Sequence, residues 1–347
     1  MSLRERLVEY IRENGPMTVA DYMAACLYDP QDGYYATRPA IGGADADFIT
    51  APEASQMFGE LIGLWCAHEW DQLGKPAFSL IELGPGRGVL MQDVLRATRR
   101  IEGFHDSSSV VFIEMSAPLR EEQGQRVPDA EWALRLEDAP PGPSLIVGNE
   151  FLDCLPIRQF VRGEDGWHEK LVGVAEDGRL TFGLSAALPA PDSDDEPGAV
   201  REIATGLESL IYEIERRLHD APGRVLLIDY GYVEPEGADT LQALKSHAKV
   251  DPIETPGEAD LTAHVDFARV ARLAAQAGLD VHGPATQGQF LRALGVDLRC
   301  EALSRANPTH AERLARELHR LTSPDQMGAL FKVICLSSPN LPPPAGF

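Results

Sequence analysis

The chain has 347 residues, with 31 Lys and Arg against 54 Asp and Glu, so its formal net charge is −23. At about 150 residues per domain, this length predicts two domains or one large domain with insertions. The negative charge argues against a nucleic-acid binder and against an anionic membrane surface. It weakly favours a cationic partner, and the alternative interpretation is that the charge serves solubility.

The first 75 residues are predicted to be a helical N-terminal extension. Three N-cap signals mark the starts of helices, and apolar residues at helical spacing follow each of them. These signals are Ser2-x-x-Glu5, Thr18-x-x-Asp21 and Thr50-Ala51-Pro52-Glu53. The third signal carries a proline in the first helical turn, where proline is well tolerated.

From Phe78 onward the pattern becomes an alternation of strands and helices, which predicts a parallel sheet in a second domain over 76–336. The predicted strands are Phe78–Leu83, Val110–Glu114, a region around Trp132–Leu134, Leu145–Val147, Val225–Ile228 and Gly328–Leu336. The predicted helices between them are Leu90–Arg100, Ala117–Arg126 and one around Ala199–His219. We expect two insertions, a hairpin and loop over about 157–200 and a mainly helical one over about 232–325. Residues 337–347 are expected to form a tail.

The cysteines and the N-terminus bear on the cellular compartment. The five cysteines are scattered and fit neither a disulfide framework nor a zinc ribbon. Residues 1–16 lack both the apolar stretch of a signal peptide and the acid-poor composition of a transit peptide. No run of about 18 apolar residues predicts a membrane span. These features predict a cytoplasmic location in a bacterium.

The strongest local motif is Glu82-Leu83-Gly84-Pro85-Gly86-Arg87-Gly88, which lies between a strand and a helix. Glycines let the backbone approach a ligand closely, and the N-terminus of the helix offers free N–H groups. The spacing is not that of a dinucleotide fingerprint, and the Lys of a P-loop is absent. An acidic residue before G-x-G-x-G instead resembles the first motif of class I S-adenosyl-L-methionine methyltransferases. Strand-to-helix turns also carry glycines for structural reasons alone.

Two further acids fit the same cofactor. Glu114 ends the next strand, where a carboxylate can accept both ribose hydroxyls of an adenosine. Asp138 follows the third strand, where such enzymes often contact the adenine amine, although an acid of a surface loop is the alternative interpretation.

The segment Asn149-Glu150-Phe151-Leu152-Asp153 follows a predicted strand, at the sheet edge where open α/β sheets place their sites. Glu150 and Asp153 are three residues apart and would share one face of a helical turn. Two carboxylates can hold a guanidinium and orient one of its nitrogens toward a methyl group. In the alternative interpretation Asp153 caps a helix and only Glu150 faces the site.

Other polar residues are candidates for lining a substrate pocket. Asp229 and Tyr230 end another predicted strand at the same edge. His264 and Asp266 form an H-x-D pattern, which is half of a two-His-one-carboxylate iron site. A helix that begins after Asp266, with Asp266 as its cap, is the favoured interpretation, and we expect no metal.

Several longer blocks of sequence resemble the MidA family of methyltransferases, which includes a mitochondrial complex I assembly factor. The matching blocks are Tyr22-Met-x-x-Cys26-Leu-Tyr-Asp-Pro30, Asp47-Phe-Ile-Thr-x-Pro-Glu-x-Ser-Gln56, Phe58-Gly-Glu-Leu-Ile-Gly63, Glu82–Gly88, Asn149–Asp153, Asp260-Leu-Thr-Ala-His-Val-Asp-Phe267 and Met327-Gly328. The resemblance runs from about Tyr22 to Leu336, nearly the whole chain.

The resemblance implies an α/β fold of class I, with a Rossmann-like, mostly parallel seven-stranded sheet. It implies S-adenosyl-L-methionine as cofactor, and symmetric dimethylation of an arginine in the 49-kDa-type subunit of NADH:quinone oxidoreductase. By the same resemblance Gly84, Gly86, Gly88 and Glu114 contact the cofactor, and Asn149, Glu150 and Asp153 lie at the reaction centre. Asp47, Phe48, Thr50 and Pro52 would pack over the methionine end of the cofactor.

Three hypotheses remain open at this point. The chain is a protein arginine methyltransferase, a methyltransferase of a small molecule, or a non-catalytic assembly chaperone that retains the fold. The intact glycine motif with Glu114 and Glu150 argues against the chaperone. The acidic balance and the Glu150/Asp153 pair favour a protein arginine substrate. We expect neither nucleic acid nor membrane insertion, and a homodimer is left open.

Overall fold

A computed structural model of the protein describes residues 1–37, 50–189, 195–234 and 237–347. The chain forms two compact units and passes between them several times. The insertion unit comprises Met1–Pro39, Asp153–Leu207 and Glu234–His264, and the sheet unit comprises Ala40–Leu152, Glu208–Val233 and Val265–Phe347.

Helices occur in both units. Within the described ranges they are α1 (Leu3–Asn14), α2 (Val19–Tyr28), α3 (Tyr34–Thr37), α4 (Ala51–Ala54), α5 (Gln56–Gln72), α6 (Val89–Thr98), α7 (Phe104–Ser107), α8 (Ala117–Arg126), α9 (Leu207–Asp220), α10 (Phe267–Gln276), α11 (Gln287–Ala293), α12 (Val296–Ala306), α13 (Ala311–Thr322) and α14 (Met327–Leu330). Single 3₁₀ turns lie at Leu136–Asp138 and Pro308–His310.

The strands of the described ranges are β1 (Met17–Thr18), β2 (Phe78–Leu83), β3 (Ser108–Ile113), β4 (Glu131–Ala133), β5 (Ser144–Asn149), β6 (Ile157–Gly163), β7 (Gly166–Val174), β8 (Leu180–Leu184), β9 (Val200–Ala204), β10 (Gly223–Tyr232), β11 (Gln242–Lys245), β12 (Ala248–Val250), β13 (Asp260–Thr262), β14 (Val265–Asp266), β15 (Asp280–Thr286) and β16 (Phe331–Ser337).

A mostly parallel sheet organises the sheet unit, with the strand order β15-β16-β10-β5-β2-β3-β4, and β14 pairs with the end of β10. The pairs from β10 through β4 are parallel, whereas β16 runs antiparallel to both of its neighbours. Strand β2 has β3 on one side and β5 on the other, so the chain reverses its direction of winding there. Ligands of open α/β sheets bind at such a reversal, beyond the carboxyl ends of the strands.

The core of the sheet unit explains why these strands appear in the sequence as short runs of apolar residues. Every residue of β2 is buried, because helices cover both faces of a parallel sheet. Trp65 and Phe58 of α5 are buried in this core, and so are Leu90 and Val94 of α6. The predicted strand Phe78–Leu83 and the predicted helix Ala117–Arg126 are confirmed residue for residue.

The insertion unit contains α1 to α3 and two small sheets. The first has the order β1-β7-β6-β9 with β8 paired to β7, and the second has the order β12-β11-β13. The hairpin predicted in the insertion over about 157–200 is confirmed as β6 and β7. The capping box of Ser2 and Glu5 and the cap at Thr18 are also confirmed. Leu3, Leu7 and Ile11 face the unit's core.

The predicted secondary structure needs correction in two regions. The helix predicted around Ala199–His219 begins only at Leu207, and Val200–Ala204 form strand β9. The region 232–325, predicted as mainly helical, contains helices α10 to α13, but it also contains the three-stranded antiparallel sheet and strand β15, which were not predicted. Strands of three to five residues are too short to show a clear period.

The predicted segment boundaries differ from the compact units. Helices α1 to α3 belong to the insertion unit, whereas α4 and α5 belong to the sheet unit, although both groups fall in the predicted extension 1–75. Residues of the predicted tail pack in the sheet unit, where Trp65 Nε1 donates to the Ala345 carbonyl at 3.1 Å and the Ala345 N–H donates to Glu69 at 2.9 Å. In the part of the chain that the structure describes, no helix combines the length and apolar character that a membrane span requires.

Candidate functional site

The carboxyl ends of β2 and β5 bring two predicted motifs to one edge of the sheet. The two strands are parallel neighbours, and Leu83 pairs with Gly148. The glycine turn follows β2, and Asn149 ends β5, with Glu150 directly after it. This is the point where the sheet reverses its winding, so the topology places a binding crevice between these motifs.

The glycine turn needs glycine at all three positions, because Gly84, Gly86 and Gly88 have φ angles of 58°, 52° and 78°. A Cβ on Gly84 would lie 2.9 Å from Cδ2 of the Phe151 ring. A Cβ on Gly86 would meet no heavy atom of the described residues within 4 Å. The turn is therefore packed on one side and open on the other, and Gly88 is the N-cap of α6.

Glu82, the acid that precedes the glycines, lies buried at the end of β2. Its Oε2 has no hydrogen-bond partner among the described residues. Burial raises the pKa of this carboxyl well above its usual range, and the nearby Glu114 carboxylate adds to the rise. A hydrogen bond from the Met91 N–H acts in the opposite direction.

Glu114 follows β3 directly, and its carboxylate is held by the chain around it. Ser116 N–H donates to Oε1 at 2.7 Å, and Gln123 Nε2 donates to Oε2 at 3.1 Å. Burial raises the pKa of Glu114, and these hydrogen bonds oppose the rise. A carboxylate has about four acceptor sites, so this group can also accept the hydroxyls of a ribose. The open side of the glycine turn and this carboxylate together fit an adenosine-containing cofactor.

Two apolar residues at this edge escaped the sequence prediction. Met115 follows Glu114, and Leu134 follows β4, the strand that pairs with β3; their side chains are 65% and 57% exposed. Exposed large apolar side chains at the carboxyl ends of neighbouring strands suit the face of a planar ring. The available signal was their position, because Met115 directly follows the predicted strand Val110–Glu114 and Leu134 ends the region predicted around Trp132–Leu134. Asp138, by contrast, lies exposed in a 3₁₀ turn.

Glu150 has a left-handed backbone, with φ of 51°. Its N–H donates to the Ile228 carbonyl at 2.9 Å, and its Oε1 accepts the Ala51 N–H at 3.1 Å and Asn149 Nδ2 at 3.0 Å. The helical turn that the prediction assumed for 150–153 is wrong, because β5 ends in bends and turns there. A residue with a left-handed backbone cannot lie within a right-handed helical turn, so Glu150 is not part of one.

The predicted capping box at Thr50 is also wrong, since the Thr50 side chain makes no cap hydrogen bond. The Glu150 carboxylate accepts from the first N–H of α4 instead. Pro52 lies buried in the first turn of α4, as the proline signal predicts. The predicted cofactor residues Asp47 and Phe48 fall outside the described residues.

Asp229 does not line an open pocket, because its side chain is completely buried. The Asp229 carboxylate accepts the backbone N–H groups of Phe151, Leu152 and Tyr230. Tyr230 is partly exposed, and its ring packs against Phe331 with the centroids 5.5 Å apart. The sequence predicted the position of Asp229 at this edge of the sheet, but it did not predict the backbone N–H groups that its carboxylate accepts.

Asp153 and His264 belong to the insertion unit. Asp153 is buried, and its carbonyl oxygen accepts the Ala263 N–H at 3.0 Å; the His264 N–H donates to Thr240 Oγ1 at 2.9 Å. Asp266 is the N-cap of α10, which confirms the favoured interpretation of the H-x-D pattern. Among the described residues, no three His, Cys, Asp or Glu side chains are grouped as metal ligands would be.

Comparison with known proteins agrees with this geometry. Residues 61–285 match the sequence model of a family of S-adenosyl-L-methionine-dependent methyltransferases. The chain is 34% identical over 390 residues to Protein arginine methyltransferase NDUFAF7, mitochondrial, of Xenopus laevis, covering 100% of this chain and 89% of that protein. It is 36% identical over 374 residues to the NDUFAF7 homolog, mitochondrial, of Drosophila melanogaster, covering 96% and 84%.

A solved structure has the same fold over nearly the whole chain. It is a COG1565 superfamily member from Burkholderia thailandensis bound to S-adenosyl-homocysteine, with a TM-score of 0.85 and 26% identity, covering 99% of this chain and 93% of that one. The predicted fold class and the predicted cofactor, S-adenosyl-L-methionine, are confirmed.

One prediction is overturned by the same comparison. The curated relatives are named as mitochondrial proteins, which contradicts the cytoplasmic location that we inferred from the N-terminus. The composition of residues 1–16 was a weak guide to the location of the protein. The sequence relatives, the shared fold and the glycine turn agree on the remaining point: the chain belongs to the MidA family of S-adenosylmethionine-dependent methyltransferases.

Proposed function

We propose that the protein is an arginine N-methyltransferase of the symmetric, type II class, and that its substrate is the 49-kDa-type subunit of NADH:quinone oxidoreductase. The names of the curated relatives support a protein arginine substrate. The subunit and the symmetric product come from the family resemblance. The observation that carries the proposal is the Glu150 carboxylate, held in a fixed orientation at the strand end beside the glycine turn.

The cofactor would be held by residues of the sheet unit. The Glu114 carboxylate would accept the ribose hydroxyls, Met115 and Leu134 would contact the adenine, and the backbone of the glycine turn would approach the rest of the molecule. We keep Glu82, Asp138, Thr50 and Pro52, with Asp47 and Phe48, as further proposed cofactor residues. Bound S-adenosyl-L-methionine supplies an electrophilic methyl group on a positively charged sulfur.

Glu150 would bind the arginine side chain. A carboxylate accepts two guanidinium N–H groups in a fork geometry and thereby fixes the plane of the guanidinium. Methyl transfer depends on alignment for in-line attack, so fixing that plane contributes directly to the rate. Asn149 donates to Glu150 at 3.0 Å and would limit rotation of the carboxylate. Asp153, Tyr230, His264 and Asp266 remain proposed contacts of the substrate.

The test is mass spectrometry of the 49-kDa-type subunit after incubation with the full-length protein and the cofactor. We expect one arginine to gain the mass of two methyl groups, with fragmentation typical of the symmetric isomer. Glu150→Gln should bind S-adenosyl-L-methionine with unchanged affinity in calorimetry and should transfer methyl groups at least about 100-fold more slowly, as expected when a positioned charged group is lost.

Glu137→Gln is the matched control, because Glu137 is an exposed glutamate of the same unit. Its methylation rate should equal that of the wild type. An unmodified subunit would contradict the proposed substrate and would favour a small molecule. Full transfer by Glu150→Gln would contradict the role that we assign to this carboxylate.

A further inference from the structure

Asp229 lies at the carboxyl end of β10, the strand that pairs with β5, and its side chain is completely buried. Its Oδ2 accepts the N–H of Phe151 at 3.1 Å and the N–H of Leu152 at 2.8 Å. Its Oδ1 accepts the N–H of Tyr230 at 2.9 Å. Two consecutive N–H groups of one turn thus converge on a single carboxylate oxygen, in charge-assisted hydrogen bonds.

The turn that Asp229 binds is the turn that carries Glu150. The left-handed conformation of Glu150 is unfavourable for a residue with a Cβ, and it persists only where the surroundings hold it. Strand β10 forms hydrogen bonds with the backbone at Glu150 and directly after it. The Glu150 N–H binds the Ile228 carbonyl at 2.9 Å, and the next two N–H groups bind Asp229.

The same turn also contacts the cofactor motif. The Phe151 ring lies so close to Gly84 that a Cβ there would come within 2.9 Å of Cδ2. The N–H of Phe151, which Asp229 accepts, therefore belongs to a residue whose ring packs against the glycine turn.

We propose that Asp229 is a positioning residue, which sets the direction of the Glu150 carboxylate by holding the N–H groups of Phe151 and Leu152. The inference rests on the proposed role of Glu150 in binding the guanidinium. Asp229→Asn keeps the shape of the side chain but removes its negative charge, and the amide nitrogen that it introduces cannot accept a hydrogen bond.

The first test is hydrogen–deuterium exchange on the full chain without substrate. In Asp229→Asn we expect the amides of Phe151 and Leu152 to exchange about tenfold faster or more, because their acceptor is weakened. The matched control is Asp93→Asn, which removes another buried carboxylate of the sheet unit and should leave these two amides unchanged. Unchanged exchange in Asp229→Asn would overturn the proposal. Asp229→Ser, whose shorter side chain also withdraws the acceptor from these N–H groups, serves if Asp229→Asn does not fold.

The second test separates positioning from general stability by kinetics. Asp229→Asn should lower kcat for methylation of the 49-kDa-type subunit by about tenfold to 100-fold, with KM and the cofactor Kd within about threefold of wild type. The double variant Glu150→Gln/Asp229→Asn should be no slower than Glu150→Gln alone, because Asp229 acts through Glu150. A double variant slower by the product of the two single effects would overturn the proposal.

The two tests distinguish the failure of this inference from the failure of the proposed function. If Glu150→Gln retains full kcat, or if the subunit is not methylated at all, the proposed function fails and amide exchange alone decides whether Asp229 positions the turn. If Glu150→Gln loses activity while Asp229→Asn retains it, only the inference fails.

Discussion

The Glu150 carboxylate accepts the backbone N–H of Ala51 at 3.1 Å, so the residue at the end of β5 caps a helix that lies 99 positions earlier in the chain. This helix, α4, is also tied to the glycine turn, because Glu53 lies 3.5 Å from the Arg87 guanidinium. Helix α4 therefore contacts both proposed functional segments of the sheet unit, the Glu150 carboxylate through Ala51 and the glycine turn through Glu53.

The strained backbone of Glu150 predicts a trade-off between stability and activity. Glu150→Gly and Glu150→Ala both remove the carboxylate and its hydrogen bonds, but only glycine accepts φ of 51° without strain. We expect the Gly variant to be more stable than the Ala variant by about 1 kcal/mol. Both variants should be inactive.

Urea unfolding of the two variants measures this difference, and a matched pair at a position without strain provides the control. Gly183 has no positive φ and an open environment, so Gly183→Ala should not show the same penalty for a Cβ. Equal stability of Glu150→Gly and Glu150→Ala would contradict the assignment of strain to this residue.

The two sides of the glycine turn predict different outcomes for two substitutions. Gly84→Ala adds both a left-handed Cβ and a contact at 2.9 Å with the Phe151 ring, so it should lower stability by about 2 kcal/mol or more. Gly86→Val adds the strain alone and extends toward the open side of the turn, so the protein should fold. Calorimetry should then show that Gly86→Val no longer binds S-adenosyl-L-methionine.

The two substitutions should therefore affect different properties, stability in Gly84→Ala and cofactor binding in Gly86→Val. A Gly86→Val variant that binds the cofactor with wild-type affinity would argue against contact between this turn and the cofactor. A Gly84→Ala variant as stable as the wild type would argue against the packing of Phe151.

The buried carboxyl of Glu82 predicts that stability falls as the pH rises. Burial raises the pKa of this group well above its value of about 4.3 in an unfolded chain, so the folded protein binds the proton more tightly. The stabilisation that comes from this tighter proton binding is fully present below the pKa of Glu82 in the unfolded chain. It is lost as the pH rises from there through the pKa of Glu82 in the folded protein.

Glu82→Gln cannot ionise and should remove this loss. Between about pH 5 and pH 8 the free energy of unfolding should therefore decrease less steeply in Glu82→Gln than in the wild type. Urea unfolding at several pH values measures both slopes, and exposed Glu137→Gln should follow the wild-type slope. Parallel slopes for Glu82→Gln and wild type would mean that Glu82 is ionised in the folded protein.

Much of the site was visible in the sequence because its elements are local. The glycine turn needs only a strand, three glycines and a helix in succession, and all of them lie within Phe78 to Thr98. Glu114 could be placed because it ends the next strand. The predicted N-caps at Ser2, Thr18 and Asp266 were confirmed for the same reason, since a cap and the N–H that it binds lie within three residues.

Other relationships depend on residues that only the folded chain brings together. No local pattern could indicate that Glu150, rather than Thr50, accepts the first N–H of α4, or that Asp229 binds the turn after β5, because these partners are 99, 78 and 77 positions apart. The short strands of the 242–262 region were missed because their stabilisation comes from pairing across turns and not from their own periodicity.

The sequence by itself determined the family, the cofactor and the order of strands and helices around the glycine turn, since these depend on residue types at short, fixed spacing. Tertiary structure decided the conformation of Glu150, the role of Asp229 and the two-unit division of the chain. These depend on hydrogen bonds between segments that are distant in sequence, whose partners are selected by the packing of the sheet and not by neighbouring residues.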